Sequence, residues 1–287
     1  MRINKLVLTL FLLPGTALYI VFVLVPIIGA FVYSFTDMRG VSADYEFIGL
    51  TNWIRMFADP RFFNSARVTV TFALMGSLFI NIFALLIAFL LQIPRNKTIC
   101  GAIRTMLFIP AVLTPVVMGF IWRFILARAL PDILSSLGLP PMELLDFHNA
   151  LGSLILVSVW MGIGVAMIIY TASLNNIPSE LYEVSTIDGA SRLQYFLRIA
   201  FPLIVPALSI NLVNTIIIGF RQFDQIFAMT MGGPGRVTET MTLLIHFHAF
   251  QRIDFGYASA LGFLLFAVVI LISTTIIRFL RKREVDA

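Results

Sequence analysis

Six stretches of this chain run for eighteen residues or more without an Asp, Glu, Lys or Arg: Leu6–Thr36, Val68–Pro94, Thr105–Trp122, Leu151–Leu174, Ala200–Phe220 and Tyr257–Ile277. About 20 helical residues cross roughly 30 Å of hydrocarbon, where every backbone N–H and C=O must find its partner inside the protein. Barrel strands would be shorter and would alternate apolar with polar residues, which these runs do not. The expectation is an all-α integral membrane protein with six transmembrane helices, over about residues 6–36, 68–94, 103–126, 151–174, 200–228 and 257–280, forming a single transmembrane domain of residues 1–287. The third run is the shortest and is expected to continue past Arg123 towards Leu126. Composition agrees: 12% of residues are charged, against about a quarter in soluble domains, and the mean hydropathy is +0.96.

The first run opens like a signal peptide, with Arg2 and Lys5 before LVLTLFLL, but it continues to Thr36 without a small-x-small cleavage site. A retained signal-anchor helix is expected, kinked at Pro14 and Pro26. The single cysteine, Cys100, has no partner for an internal disulfide.

Lys and Arg set the orientation. With a cytoplasmic N-terminus, the inner segments carry Arg2, Lys5, Arg95, Lys97, Arg104, Arg192, Arg198, Arg278, Arg281, Lys282 and Arg283 against Glu180, Glu183, Asp188, Glu284 and Asp286. That is +6 inside and −1 outside, and all three lysines fall inside. Six spans return the C-terminus to the cytoplasm, so the basic balance reads as topology and gives no reason to invoke nucleic acid. Of the moderately long outer loops, residues 37–67, 127–150 and 230–256, the first holds FIGLTNWIRMFADPRFF, which suits a short amphipathic helix.

One inner loop, residues 175–202, is charged and Gly-broken. Pro178 ends the preceding helix, Ser179 is a plausible N-cap for a helix from Glu180, and Glu180 and Glu183 suit its positive end. Asp188-Gly189 reads as a left-handed stop, and Ser191 with Gln194 fits a capping box for a second short helix running towards Pro202. Two short helices joined at a Gly corner make a knob whose Leu181, Tyr182, Val184, Ile187 and Ala190 suit a groove on another protein, with Glu183 or Asp188 for a basic rim. An amphipathic loop lying on the bilayer or on its own bundle is the alternative.

The run from Glu183 through Asp188-Gly189-Ala190 to Pro202 and Pro206 resembles the EAA loop of ABC importer permeases. Val184 and Ser185 stand where that pattern has two alanines, and Phe201 stands in its leucine position. LFLLPG, FIGLTNW, LYEVSTIDGAS and GGPGRVTET followed by GYASALG resemble the carbohydrate branch of the same family. The resemblance implies a type I importer permease fold in a prokaryotic cell membrane, working with a second permease subunit, two cytoplasmic ATPase subunits and an extracytoplasmic solute-binding protein. It implies that ATP and Mg²⁺ sit on the ATPase partners, that this chain has no catalytic residue, and that the cargo is a sugar, with glycerol 3-phosphate or another polyol as alternative. It also implies that Glu180, Tyr182, Glu183, Ile187, Asp188, Gly189, Ala190 and Pro202 couple the ATPase to the bundle.

Polar groups within apolar spans often mark a substrate path. Asn81, Trp160, Asn211 and Asn214, with Phe220, Gln222, Phe223 and Asp224 near the end of the fifth run, supply the amides, carboxylate and aromatic faces a sugar needs. Interhelical bonding is the competing role for the amides. GGPG lacks the Gly-Lys-Ser/Thr ending of a phosphate loop and reads as a turn, and His246 and His248, two apart, are poorly spaced for a helical metal pair. An ion-coupled secondary carrier is the other functional class, but it would want an intramembrane carboxylate and would leave the knob unexplained.

Overall fold

The computed structural model describes residues 5–40, 44–92 and 97–281. Arg2, the end of the second run at Pro94, Arg95, Lys282, Arg283, Glu284 and Asp286 lie outside the described residues. The helices in chain order are α1 (Lys5–Tyr19), α2 (Val25–Tyr33), α3 (Thr51–Ala58), α4 (Pro60–Leu90), α5 (Lys97–Val112), α6 (Pro115–Phe124), α7 (Leu130–Ser136) and α8 (Ala150–Asn175). They continue as α9 (Ser179–Ile187), α10 (Arg192–Tyr195), α11 (Phe201–Leu203), α12 (Val205–Phe220), α13 (Asp224–Thr230), α14 (Met241–His246) and α15 (Phe255–Arg281). Among the described residues the only β pairing is two isolated bridges.

Four spans are single helices, Leu8–Tyr33, Pro60–Leu90, Ala150–Asn175 and Phe255–Phe279. The other two of the six are bent pairs, Thr98–Val112 with Pro115–Ser136 and Arg192–Leu203 with Val205–Phe220. Between α5 and α6 the chain turns through 99°. Pro115 disfavours helical geometry at the residue before it, and Thr114 is extended, with φ −66° and ψ 142°. Between α11 and α12 the bend is 70°. There Pro206 has no N–H to return to Pro202, and Ile204 leaves helical geometry at ψ 5°. The fifth span also stops at Phe220, and α13 begins separately at Asp224. The second span starts earlier than Val68, at Pro60, which is a favoured first residue for a helix.

Wide, π-type turns occur at Ile20–Leu24, Ile125–Ala129, Phe196–Ala200 and Phe247–Gln251. The first three each lie just before a proline: Pro26, Pro131 and Pro202. A wide turn lets the chain move past a ring that would otherwise meet the carbonyl four residues back.

The fold divides into two compact units, Met1–Phe63 with Leu244–Ala267, and Asn64–Leu243 with Val268–Ala287. In the first, buried Asn52 of α3 donates to the carbonyls of Ser34 (3.0 Å) and Thr36 (2.8 Å), satisfying the end of α2. Gly256 is obligatory beside it, because a Cβ there would lie 2.1 Å from the Thr36 oxygen. Arg55 pairs with Asp254 at 2.8 Å and stacks over Tyr257. Burial pushes the Asp254 carboxyl up, yet His248 and the Arg55 guanidinium outweigh it and hold its pKa at about 2.

In the second unit α5 packs on α8 and α6 on α13. Both approaches are closest at glycine. A Cβ on Gly164 of α8 would lie 2.2 Å from the Leu107 carbonyl oxygen, and one on Gly119 of α6 would lie 2.6 Å from the Ala228 Cβ. Small residues let membrane helices approach backbone to backbone. Gly164→Ala should lower the unfolding temperature of the purified chain in detergent, at a cost of about 1–3 kcal/mol. Gly152→Ala on the same helix meets nothing within 4 Å and should be neutral or slightly stabilising.

Candidate functional sites: a knob and an intramembrane cavity

The knob forms much as its sequence specifies. Helix α9 ends in a Schellman motif, in which Ala190 N–H donates to the Ser185 carbonyl (2.9 Å) and Gly189 N–H to that of Thr186 (3.1 Å). Gly189 has φ +75°, the left-handed conformation that glycine tolerates. Ser191 and Gln194 make a reciprocal capping box: Ser191 N–H donates to Gln194 Oε1 (2.7 Å) and Gln194 N–H to Ser191 Oγ (3.3 Å). One detail is corrected. Ser179 is the first helical residue and Pro178 the cap position, with no side-chain cap.

Of the nine residues of α9 only Ser185 is buried, its hydroxyl donating to the Tyr182 carbonyl at 2.7 Å. Glu180, Tyr182, Glu183, Asp188 and Gly189 are exposed, and Ile187 is 84% exposed. Ala190 and Pro202 are half-buried. Leu181, Val184, Leu193 and Leu197 add further apolar surface. The nine-residue helix is stopped at its C-terminal end by the Schellman motif and packs inward through Ser185 and the Tyr182–Tyr195 ring contact, while Val184 and Ile187 leave apolar surface that its own bundle does not cover.

The second site is a cavity of about 220 Å³ within the second unit, bounded by α4, α8, α12, α13 and the break between α5 and α6. Its polar lining comes from Ser77, Ser158, Asn211, Asn214, Thr215, Gln222 and Gln225. Beside it runs a buried hydrogen-bonded chain across three spans. Tyr170 Oη of α8 donates to Asn81 Oδ1 (2.6 Å), and Asn81 Nδ2 of α4 donates to the Ser77 carbonyl (2.7 Å) and to Thr215 Oγ1 of α12 (3.0 Å). Ser77 Oγ and Thr215 Oγ1 are 2.6 Å apart. Asn211 Nδ2 donates to the Ala166 carbonyl at 3.1 Å.

These contacts sort the eight candidate path residues. Asn211, Asn214 and Gln222 line the cavity, and Asn214 is exposed there. Asn81 is spent on holding helices together. Trp160 lies outside the lining, in an edge contact with Trp122 at 5.4 Å, although Met161 next to it is in the lining. Phe220 is buried beside Gly219, which does line the cavity. In both cases a step of one residue turns the side chain by about 100°. Phe223 stacks on Phe227 at 5.3 Å, and Asp224 is exposed outside the lining. Gln225 was not anticipated. It is buried, donates to the Leu154 carbonyl at 2.9 Å, and reaches the cavity because α13 turns back against α6. GGPG forms a turn with Gly232 and Gly235 at positive φ, and Asn64 Nδ2 donates to the Arg236 carbonyl beyond it at 2.9 Å. His248 is buried with its ring against Tyr257.

The two kinds of amide should separate experimentally. Asn81→Ala removes the acceptor of the buried Tyr170 hydroxyl and the amide bond to Thr215, and should cost about 1–3 kcal/mol of stability in a detergent melt. Asn214→Ala should leave the melt unchanged within about 0.5 kcal/mol.

Residues 80–285 match the family described as "Binding-protein-dependent transport system inner membrane component". The chain is 34% identical to the probable starch degradation products transport system permease protein AmyD of Thermoanaerobacterium thermosulfurigenes, over 96% of this chain and 94% of that one. It is 32% identical to the sn-glycerol-3-phosphate transport system permease protein UgpA of Brucella abortus biovar 1 (strain 9-941), over 98% and 96%. A solved structure of a bacterial ABC transporter involved in the import of the acidic polysaccharide alginate holds a chain of the same fold, with TM-score 0.84, 23% identity, and coverage of 97% of this chain and 96% of that one.

Proposed function

We propose, from the premise that this chain belongs to the binding-protein-dependent transport inner membrane component family, that it forms half of the pathway by which an ATP-driven importer brings a sugar across a prokaryotic inner membrane. The observation that carries the reading is α9, a capped helix with exposed apolar side chains and a glycine corner, built to be held by another protein. The two termini and the knob face the cytoplasm, following the Lys and Arg distribution. The knob seats in a groove of one of two ATPase subunits, which carry ATP and Mg²⁺, and this chain performs no hydrolysis. A second permease subunit completes the pathway, and an extracytoplasmic binding protein delivers the cargo.

The mechanism is alternating access. At rest the pathway is open inward. A loaded binding protein and closure of the ATP-bound partners bring the knobs together and open it outward, and hydrolysis resets it. Force passes from the knob through the Ser191–Gln194 box and the helical segment up to Pro202, across the 70° bend, into α12. Helix α12 carries Asn211, Asn214 and Thr215 on the cavity wall, so motion of the knob reaches the groups that face cargo. The amides and hydroxyls of that wall suit the hydroxyls of a sugar. The likeness to a glycerol 3-phosphate permease supports a second reading, a small phosphorylated polyol as cargo.

ATP-driven uptake by the reconstituted complex tests the reading. Gly189→Pro forces a φ of about −65° on a residue that needs +75°, and Glu183→Lys reverses charge on the docking face. Each should lower uptake at least about tenfold and loosen ATPase co-purification, equivalent to about 1.4 kcal/mol or more of lost coupling, with the permease still folded in the membrane. Undiminished uptake by both variants would remove the knob from the transmission.

A further inference from the structure

A second cavity, of about 290 Å³, lies under the knob, between α9 and α10 on one side and the ends of α4 and α8 on the other. It is separate from the cavity within the spans and shares no lining residue with it. Its floor is apolar, made by Phe89, Leu174 and Ile177. Its polar groups are of one character: the Arg192 guanidinium and the hydroxyls of Ser179, Tyr182 and Tyr195, with no carboxylate in the lining. The two amides at the edge close on each other, Gln92 Nε2 donating to Asn175 Oδ1 at 2.8 Å. Arg192 itself has no side-chain hydrogen bond or ion pair among the described residues. The rings of Tyr182 and Tyr195 meet edge to face at 5.1 Å, which fixes one side of the cavity.

We propose that this cavity binds a phosphomonoester with a small ring or short hydrocarbon body. A guanidinium fork pairs with phosphate oxygens in bidentate fashion. The three hydroxyls supply further donors, so three phosphate oxygens are matched where a carboxylate would offer only two. The apolar floor takes the body of the ligand, and the volume, at the low end for ligand pockets, holds about one ring. Two sources carry this chemistry, a soluble phosphorylated metabolite and the headgroup of phosphatidic acid. Ser179 and Tyr182 belong to α9, so an occupant braces the knob against the bundle and alters how it moves. That consequence rests on the coupling role proposed above, whereas binding does not.

The test is equilibrium dialysis of radiolabelled glucose 6-phosphate against the assembled, nucleotide-free complex in phosphatidylcholine nanodiscs, with phosphatidic acid added to a second set. Binding should weaken at least about tenfold in Arg192→Gln, since a hydrogen bond to a charged group contributes about 1.5–3 kcal/mol. Arg192→Lys, which keeps the charge, should retain part of it and guards against loss through misfolding. Displacement of the label by phosphatidic acid would identify the lipid as the source, and retention would identify a soluble ester. Binding of both probes that ignores Arg192, or no binding of either, overturns the proposal. Because dialysis reads no transport, unchanged uptake in both Gly189→Pro and Glu183→Lys would remove the coupling role and leave an Arg192-dependent site standing.

Discussion

A proline in a membrane span removes a backbone donor where no water can replace it, and much of this structure follows from how the chain accommodates that loss. At Pro26, Pro131 and Pro202 a wide turn just upstream absorbs the ring and the helix goes on. At Pro115 and Pro206 the helix breaks, and the two bends of 99° and 70° result. The first break contributes Ala111, Leu113 and Pro115 to the wall of the intramembrane cavity. The second lies where the segment leading from the knob turns into α12. A set of straight helices would offer neither the gap nor the lever.

What keeps the broken spans in register is contact at very short range. Gly164 and Gly119 let backbones touch, and the chain of bonds from Tyr170 through Asn81 to Thr215 ties α8, α4 and α12 together. Each interhelical bond contributes only about 0.6–2 kcal/mol in a bilayer. Their value is geometric, because a buried amide with all its partners in place has one arrangement, and the cavity beside it inherits that precision.

The apolar runs, the glycine stop of the knob and the capping box of its second helix were legible because their signals are local. Charge-free length, Ser191 three residues before Gln194 and Gly189 after an acid-led helix each depend on neighbours in sequence. The bends were legible in principle, since Thr114-Pro115 and the Pro202–Pro206 pair state a local restriction, but apolar length alone hides them. The cavity lining was only half legible. Asn211, Asn214 and Gln222 face it, but Trp160 and Phe220 turn away and Gln225 enters from a separate helix. Which side of a uniformly apolar helix faces a gap is set by packing partners far along the chain, and no periodicity records it.

The knob is where the account is most exposed to disproof. Its capped helix presents Ile187 and its apolar neighbours outward, and family membership places the chain in an importer whose permease works with other subunits. The most direct measurement is the rate at which a water-soluble maleimide labels Ile187→Cys in a Cys100→Ser background, in inside-out membrane vesicles, with the ATPase subunits stripped and then restored. The account predicts rapid labelling of the stripped permease and severalfold protection once the ATPase is back. Equal rates in both states, or labelling only from the opposite face of the membrane, would contradict it.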